Sequence, residues 1–346
     1  AWASALVPPT PRTADVATVV LLVSAALTLV GWKTRVVAPV AALSAAWLLG
    51  VPQHAGQVLH THHLVWFLVM LAASPCADAW SLDARGREVP APALAYGVPL
   101  RVVWLSIGLV FFFPGVWKLL SQPDLSSLAA WKTFQLGTDP WLLMPTAWWP
   151  MLTLVGALSE VANGPLLLFR RTRAVGVGLA LAFHLFVYAT LRISFSSLWF
   201  CYLAFVPWSD WVRRGSSATA STASSRPALV VGALLLSAQV VTGILGVDDA
   251  WPVACYPRFH RPAPREVEWL ELREDGRVVF SLAQLRGAGG QRWWGIVAAT
   301  LENPSPAALR RFHRQARNND APFTATRVRR DLSTGDETRG SLSTGW

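Results

Sequence analysis

YGVPLRVVWLSIGLVFFFPGVWKLL, residues 96–120, decides the fold. It is a single apolar run long enough to cross a bilayer as a helix, and it carries a lysine, Lys118, at its far end. Runs of the same kind recur along the chain, at 15–31, 36–52, 60–78, 147–169, 174–192, 194–210 and 227–246. Repetition of this sort excludes a soluble protein with one signal peptide. The bulk composition agrees, with 53% hydrophobic and only 14% charged residues. The expected architecture is an all-α polytopic membrane protein with about eight transmembrane helices.

Basic residues set the expected topology. Lys33 and Arg35, Arg85 and Arg87, Arg170, Arg171 and Arg173, and Arg213 and Arg214 fall in alternate loops, which places those loops in the cytoplasm. The N-terminal segment 1–14, the start of span three, Lys118 and the C-terminal segment are then extracytoplasmic. A start outside the cytoplasm carries the expectation of a further span upstream. The net charge of +10 calls for no nucleic acid, because loop arginines have anionic lipid as a partner. The expected location is a bacterial inner membrane.

After the membrane domain, 15–246, the composition changes to a mixed-charge stretch without long apolar runs. Two short apolar alternations flank Asp275–Gly276, a hairpin signal. Ser305 to Ala316 reads as a helix opened by Ser-Pro, and Thr324 to Asp331 as a further strand. Residues 247–332 are therefore expected to form a small α+β segment, and 333–346 a disordered tail. Cys76, Cys201 and Cys255 give no disulfide framework and no zinc-ligand spacing, and no metal site is expected.

The chemistry must lie with polar groups inside apolar helices. A charged ammonium is costly in hydrocarbon, so Lys118 is either a functional amine or a side chain snorkelling to the interface. A neutral amine there is a base. Phe111, Phe112, Phe113 and Trp117 form an apolar, aromatic wall on its own segment. Glu160 precedes Arg170 by ten residues and His184 follows Arg173 by eleven, so both sit roughly 15 Å from the same turn and are expected to meet. Asn163 accompanies Glu160 at i+3, and Tyr188 accompanies His184 at i+4. That polar core is either a structural pin or a proton relay. His60, His62 and His63 open span three, as interfacial imidazoles, as a metal cluster, or with one acting on substrate.

Several of these residues, in this order, resemble the HTTM domain, the membrane domain of vitamin K-dependent γ-carboxylase and its bacterial relatives. The resemblance runs through His60, Ser74–Pro75–Cys76, Trp80–Ser81–Leu82–Asp83, Gly115–Val116–Trp117–Lys118–Leu119, Glu160 and Phe183–His184, over about residues 15–210. It implies that Lys118 deprotonates a reduced naphthoquinone, that Phe111, Phe112, Phe113 and Trp117 offer the wall for its ring, and that His60 lies by the substrate. It implies further that Glu160 stands where the carboxylase has an aspartate, and that His184 is a histidine of the membrane core. The implied reaction couples hydroquinone oxidation by O2 to proton removal from a secreted peptide or protein and its carboxylation. Two differences stand out. Leu59 replaces the asparagine that precedes the family histidine, and only about a hundred residues follow the last span. The alternatives are a non-enzymatic membrane protein for maturation, export or immunity of a secreted peptide, and a quinol-binding electron-transfer subunit.

Overall fold

The computed structural model describes residues 7–51, 61–87, 93–121, 148–191, 194–208, 224–247, 250–253, 266–285, 291–332 and 336–342. His60, Cys255 and most of the linker after Arg213 lie outside these residues. The chain divides into two compact units, one of residues 1–118, 157–185 and 194–260, the other of 119–156, 186–193 and 261–346.

Helices build the first unit: α1 (Pro11–Val30), α2 (Thr34–Gly50), α3 (His62–Ala72), most of α4 (Leu94–Ser121), α5 (Trp149–Leu168) and α6 (Arg173–Leu191), α7 (Ser196–Cys201) with a following 3-10 turn (Tyr202–Phe205), and α8 (Arg226–Leu245). A helix lies within or across each expected span. Four of them, α1, α4, α5 and α8, are long and apolar enough to cross a membrane, and the other apolar helices are shorter. Span three is much shorter than expected, ending at Ala72 rather than residue 78. Ser74–Pro75 explains the difference, since proline cannot donate into a helix and disfavours helical geometry in the residue before it. Prolines at 99 and 114 are nonetheless accommodated inside α4, as neighbouring helices permit in membrane bundles.

A loop downstream of α3 organises the first two helices. α1 ends on Gly31 in the left-handed conformation, and Lys33, also left-handed, opens α2 without a side-chain cap of its own. The Asp83 carboxylate supplies that cap. It accepts from the Lys33 amide at 2.9 Å, from the Thr34 amide at 2.8 Å and from the Thr34 hydroxyl at 3.0 Å. Leu82 and Asp83 also donate their amides to the carbonyls of Val30 and Gly31. These hydrogen bonds satisfy orphan helix-end groups and hold Asp83 below the usual carboxylate range.

In the second unit, β1 (Glu266–Glu274), β2 (Arg277–Phe280), β3 (Thr324–Asp331) and β4 (Glu337–Leu342) form an antiparallel sheet in the order β2-β1-β3-β4. The hairpin turns on Asp275 and Gly276, both at positive φ, as a tight two-residue turn requires. With α9 (Leu282–Leu285), α10 (Gln291–Glu302) and α11 (Pro306–Arg317), the sheet encloses a core that includes Leu270, Leu272, Phe280, Val297, Leu309 and Phe312. The expected disordered tail is corrected here. Glu337–Leu342 pairs with β3, and Arg339 reaches the Glu271 carboxylate at 3.3 Å. Its polar sequence, ETRGSL, has no strand signature because the pairing partner, not its own pattern, makes it a strand.

Candidate functional site

Close helix contact creates the site. Gly108 of α4 meets Gly164 of α5, and Gly115 of α4 meets Ala157, Glu160 and Val161. A Cβ at Gly115 would come within 2.8 Å of the Ala157 carbonyl oxygen and of the Val161 nitrogen, so no larger residue fits that backbone approach. Small residues at such crossings let membrane helices pack face to face. Lys118 lies one turn beyond Gly115 and Glu160 one turn beyond Ala157, so the packing aims their side chains at one another. Lys118 Nζ donates to Glu160 Oε1 at 2.6 Å and to Oε2 at 2.5 Å. The two residues are only 9% and 6% exposed, so this is a buried ion pair rather than a snorkelling lysine.

Phe183 lies beside the amine, with Nζ 5.9 Å from its ring centroid. Gly176 of α6 abuts Leu166 and Leu167 of α5. Counting along the two antiparallel helices from that contact brings residue 183 level with Glu160. The sequence does not mark Phe183 as a neighbour of Lys118, because the count starts from a helix contact that the structure supplies.

The four aromatic residues near Lys118 in sequence are distributed over several faces. Phe111 is buried and its ring centroid is 5.5 Å from that of His184. Phe112 packs on Gly164. Phe113 lies against Gly243 of α8, and Trp117 Nε1 donates to the Gly243 carbonyl at 2.7 Å.

The expected meeting of Glu160 with His184 is corrected. Glu160 is bound by Lys118, and His184 sits among Phe111, Phe183, Phe195 and Tyr202. Its Nε2 is 3.5 Å from the Tyr202 hydroxyl. Depth along the hairpin agrees with the sequence reading. The face does not, because adjacent residues on a helix point about 100° apart and Phe183 takes the direction toward Lys118. Asn163 is buried, and its Oδ1 has no hydrogen-bond partner among the described residues; the same holds for His184 Nδ1. Tyr188 is 44% exposed and lies outside any buried polar core.

The histidines that open α3 have separate surroundings. His62 Nδ1 is 3.3 Å from the Pro252 carbonyl oxygen, which also accepts from Trp66 Nε1 at 2.6 Å. His63 bonds to the backbone of Ser197. Among the described residues no group of three or more His, Cys, Asp or Glu side chains is placed to hold a metal ion.

Among the described residues the Asn163 Oδ1 acceptor is without a partner, the Glu160 carboxylate lies one turn away, and Phe183 gives an aromatic face beside the amine.

The fold and the site define a helical integral membrane protein with a carboxylate-bound lysine buried in its helix packing. The HTTM domain matches residues 3–211, more than half of the 346 residues, and the chain belongs to that family. No curated protein and no solved structure matches it.

Proposed function

We propose that this chain is a vitamin K-dependent γ-carboxylase-like membrane protein. In this reading it couples oxidation of a reduced naphthoquinone by O2 to proton abstraction from, or carboxylation of, a peptide or protein substrate. The observation that carries the reading is the buried Lys118–Glu160 pair beside Phe183. When bound, the hydroquinone supplies the oxidative driving force that no side-chain base has against a weakly acidic carbon. The work of the chain is to hold and move protons. Passing one proton from Lys118 Nζ to the Glu160 carboxylate it already touches removes both charges, which a dry, low-dielectric site tolerates better than separated ions. The neutral amine then has a lone pair with which to take a proton from a hydroxyl facing it. Glu160 positions the amine, and Phe183 sets an aromatic face beside it. His60 is assigned to the substrate side by the family resemblance, with His184 and Asn163 as supporting polar groups.

The reading includes eight membrane-crossing helices over 15–246, an inner-membrane location and an extracytoplasmic 247–346. A reporter fused after Trp346 is expected to be active only outside the cytoplasm. The double hydrogen bond of the ion pair equally supports a second reading, in which the pair is a pin in a non-enzymatic protein for maturation, export or immunity of a secreted peptide.

One experiment separates the two. The purified protein is reconstituted in lipid with reduced naphthoquinone, O2 and CO2, and quinone oxidation is followed alongside mass spectrometry of co-purified quinones. The expected result is oxidation above background that falls by about 10²–10⁴ in Lys118→Ala, the weight of a positioned base. No oxidation above background in the wild type, with Lys118→Ala indistinguishable from it, overturns the enzymatic reading.

A further inference from the structure

The arginines of the second unit are not treated alike. Those of β1, β3 and β4 are matched with carboxylates: Arg329 with Glu268 at 2.6 Å, Arg327 with Glu268, Arg330 with Glu337, and Arg273 and Arg339 with Glu271. Helix α11 is different. Its buried stripe is Leu309, Phe312 and His313, and its opposite face exposes Arg310, Arg311, Arg314 and Arg317. Arg314 reaches Asp320 at 2.9 Å and Arg317 reaches Glu274 at 3.5 Å. Arg310 and Arg311 have no ion pair among the described residues.

Helix electrostatics accounts for only half of this set. Cations in a last turn complement the negative end of the helix dipole, which covers Arg314 and Arg317. Arg310 and Arg311 sit in the middle of the helix, outside that effect. Arg310 and Arg314 are like charges at i, i+4, which opposes the helix. Arg311 and Arg314, with Gln315 and Asn318, line a shallow surface depression. The face therefore presents uncompensated positive charge around a concave patch with further hydrogen-bond donors.

The chain itself limits which anion is at hand. Thr242 of α8 donates its hydroxyl to the Val253 carbonyl at 2.7 Å, which ties Val253 to the end of the last apolar helix. Only residues 254–265 separate that point from β1, a tether of no more than about 45 Å when fully extended. An anionic bilayer surface is thus always within reach at high effective concentration, whereas a soluble anion must be recruited. Arginine also forms forked hydrogen bonds with phosphate oxygens.

We propose that the Arg310–Arg311–Arg314 face of α11 is a docking surface for the phosphate headgroups of anionic lipids in the membrane that holds the chain. The surface does not depend on Lys118 or on any quinone chemistry.

The test is side-chain footprinting of the full chain in nanodiscs of phosphatidylcholine, with or without phosphatidylglycerol. Arginine modification by phenylglyoxal is read residue by residue by mass spectrometry. Arg277, exposed on the hairpin of the same unit, is the internal control. The expected result is that Arg310 and Arg311 react more slowly in anionic discs, on the order of fivefold, the weight of one basic side chain at an anionic leaflet. The protection disappears at high salt, Arg277 is unchanged, and the Arg310→Gln/Arg311→Gln variant loses the protection of Arg314. Equal rates in both discs overturn the proposal, as does protection that includes Arg277 to the same degree. Protection by soluble poly-glutamate but not by phosphatidylglycerol overturns it too, and makes the face a peptide site.

Discussion

Glu160 holds Lys118 with both carboxylate oxygens, at 2.6 and 2.5 Å from Nζ, so one buried charge pair ties α4 to α5. Two charges taken out of water together are tolerable, but one left alone is not. Lys118→Ala and Glu160→Ala are each expected to destabilise the protein by about 3–5 kcal/mol, because each leaves its partner buried and uncompensated. An apolar double variant, Lys118→Met/Glu160→Leu, is expected to recover most of that loss, since replacing both ions with hydrophobic groups is often neutral. Thermal unfolding in detergent checks this. The double variant also serves the activity assay, being folded yet without the amine. Single variants as stable as the wild type would show that the pair is not formed.

Gly115 is the packing counterpart of that pair. A methyl group there meets the Ala157 carbonyl and the Val161 nitrogen, both backbone atoms that side-chain rotation cannot move aside. Gly115→Ala is expected to push α4 and α5 apart and to destabilise by roughly 1–3 kcal/mol, the range for overpacking a close contact. Gly97→Ala is the control, since a Cβ at Gly97 meets nothing within 4 Å. If the two substitutions lower the melting temperature equally, the close crossing is wrong.

Much of this was legible in the chain. The apolar runs placed the helices because hydrocarbon demands continuous apolar segments. Asp275–Gly276 placed the hairpin, and Ser305, whose side chain accepts from the Ala308 amide at 3.2 Å, placed the start of α11. Thr324–Asp331 is a strand over the range expected. Lys118 and Glu160 were each singled out as costly intramembrane polar groups, but their partnership was not. Which face of an all-apolar helix turns inward depends on where its neighbours come closest, and that was decided by Gly108, Gly115 and Gly164 rather than by any polar pattern. β4 was missed for a related reason, being a strand only by virtue of β3.

The second unit carries a titratable brace. His313 Nε2 lies 2.7 Å from Glu274 Oε1, and Arg317 adds a contact at 3.5 Å. The His313 hydrogen bond chiefly, with help from Arg317, holds the Glu274 carboxyl below its ordinary value of 4.5. A carboxyl whose folded value is depressed stabilises the fold above its unfolded value, and that contribution is lost as pH falls through the folded value. Hydrogen exchange of α11, corrected for the intrinsic pH effect, is therefore expected to lose protection as pH drops below 4.5. Glu274→Gln is expected to start less protected at neutral pH and to show a smaller change across that window. An identical pH profile for the two proteins refutes the brace.

Asp83 gives the sharpest separation of fold from chemistry within the residues that carry the HTTM resemblance. Its carboxylate caps α2 through the amides of Lys33 and Thr34, across about fifty residues of chain, where Lys33 brings no side-chain cap of its own. Asp83→Ala leaves those two amides without the acceptor that satisfies them, and is expected to lower the melting temperature of the whole first unit. Asp83→Asn keeps one acceptor oxygen in place and is expected to fall between the wild type and Asp83→Ala. The carboxyl is held below its ordinary range, first by the Thr34 amide and then by that of Lys33, so the wild-type advantage over Asp83→Asn should be full at neutral pH. It should shrink as acid protonates the carboxylate. In the quinone-oxidation assay, per folded molecule, both variants are expected to retain wild-type rates, because Asp83 acts on a helix end and not on the Lys118 amine. A loss of turnover in Asp83→Asn without a loss of melting temperature would move Asp83 from the scaffold to the reaction.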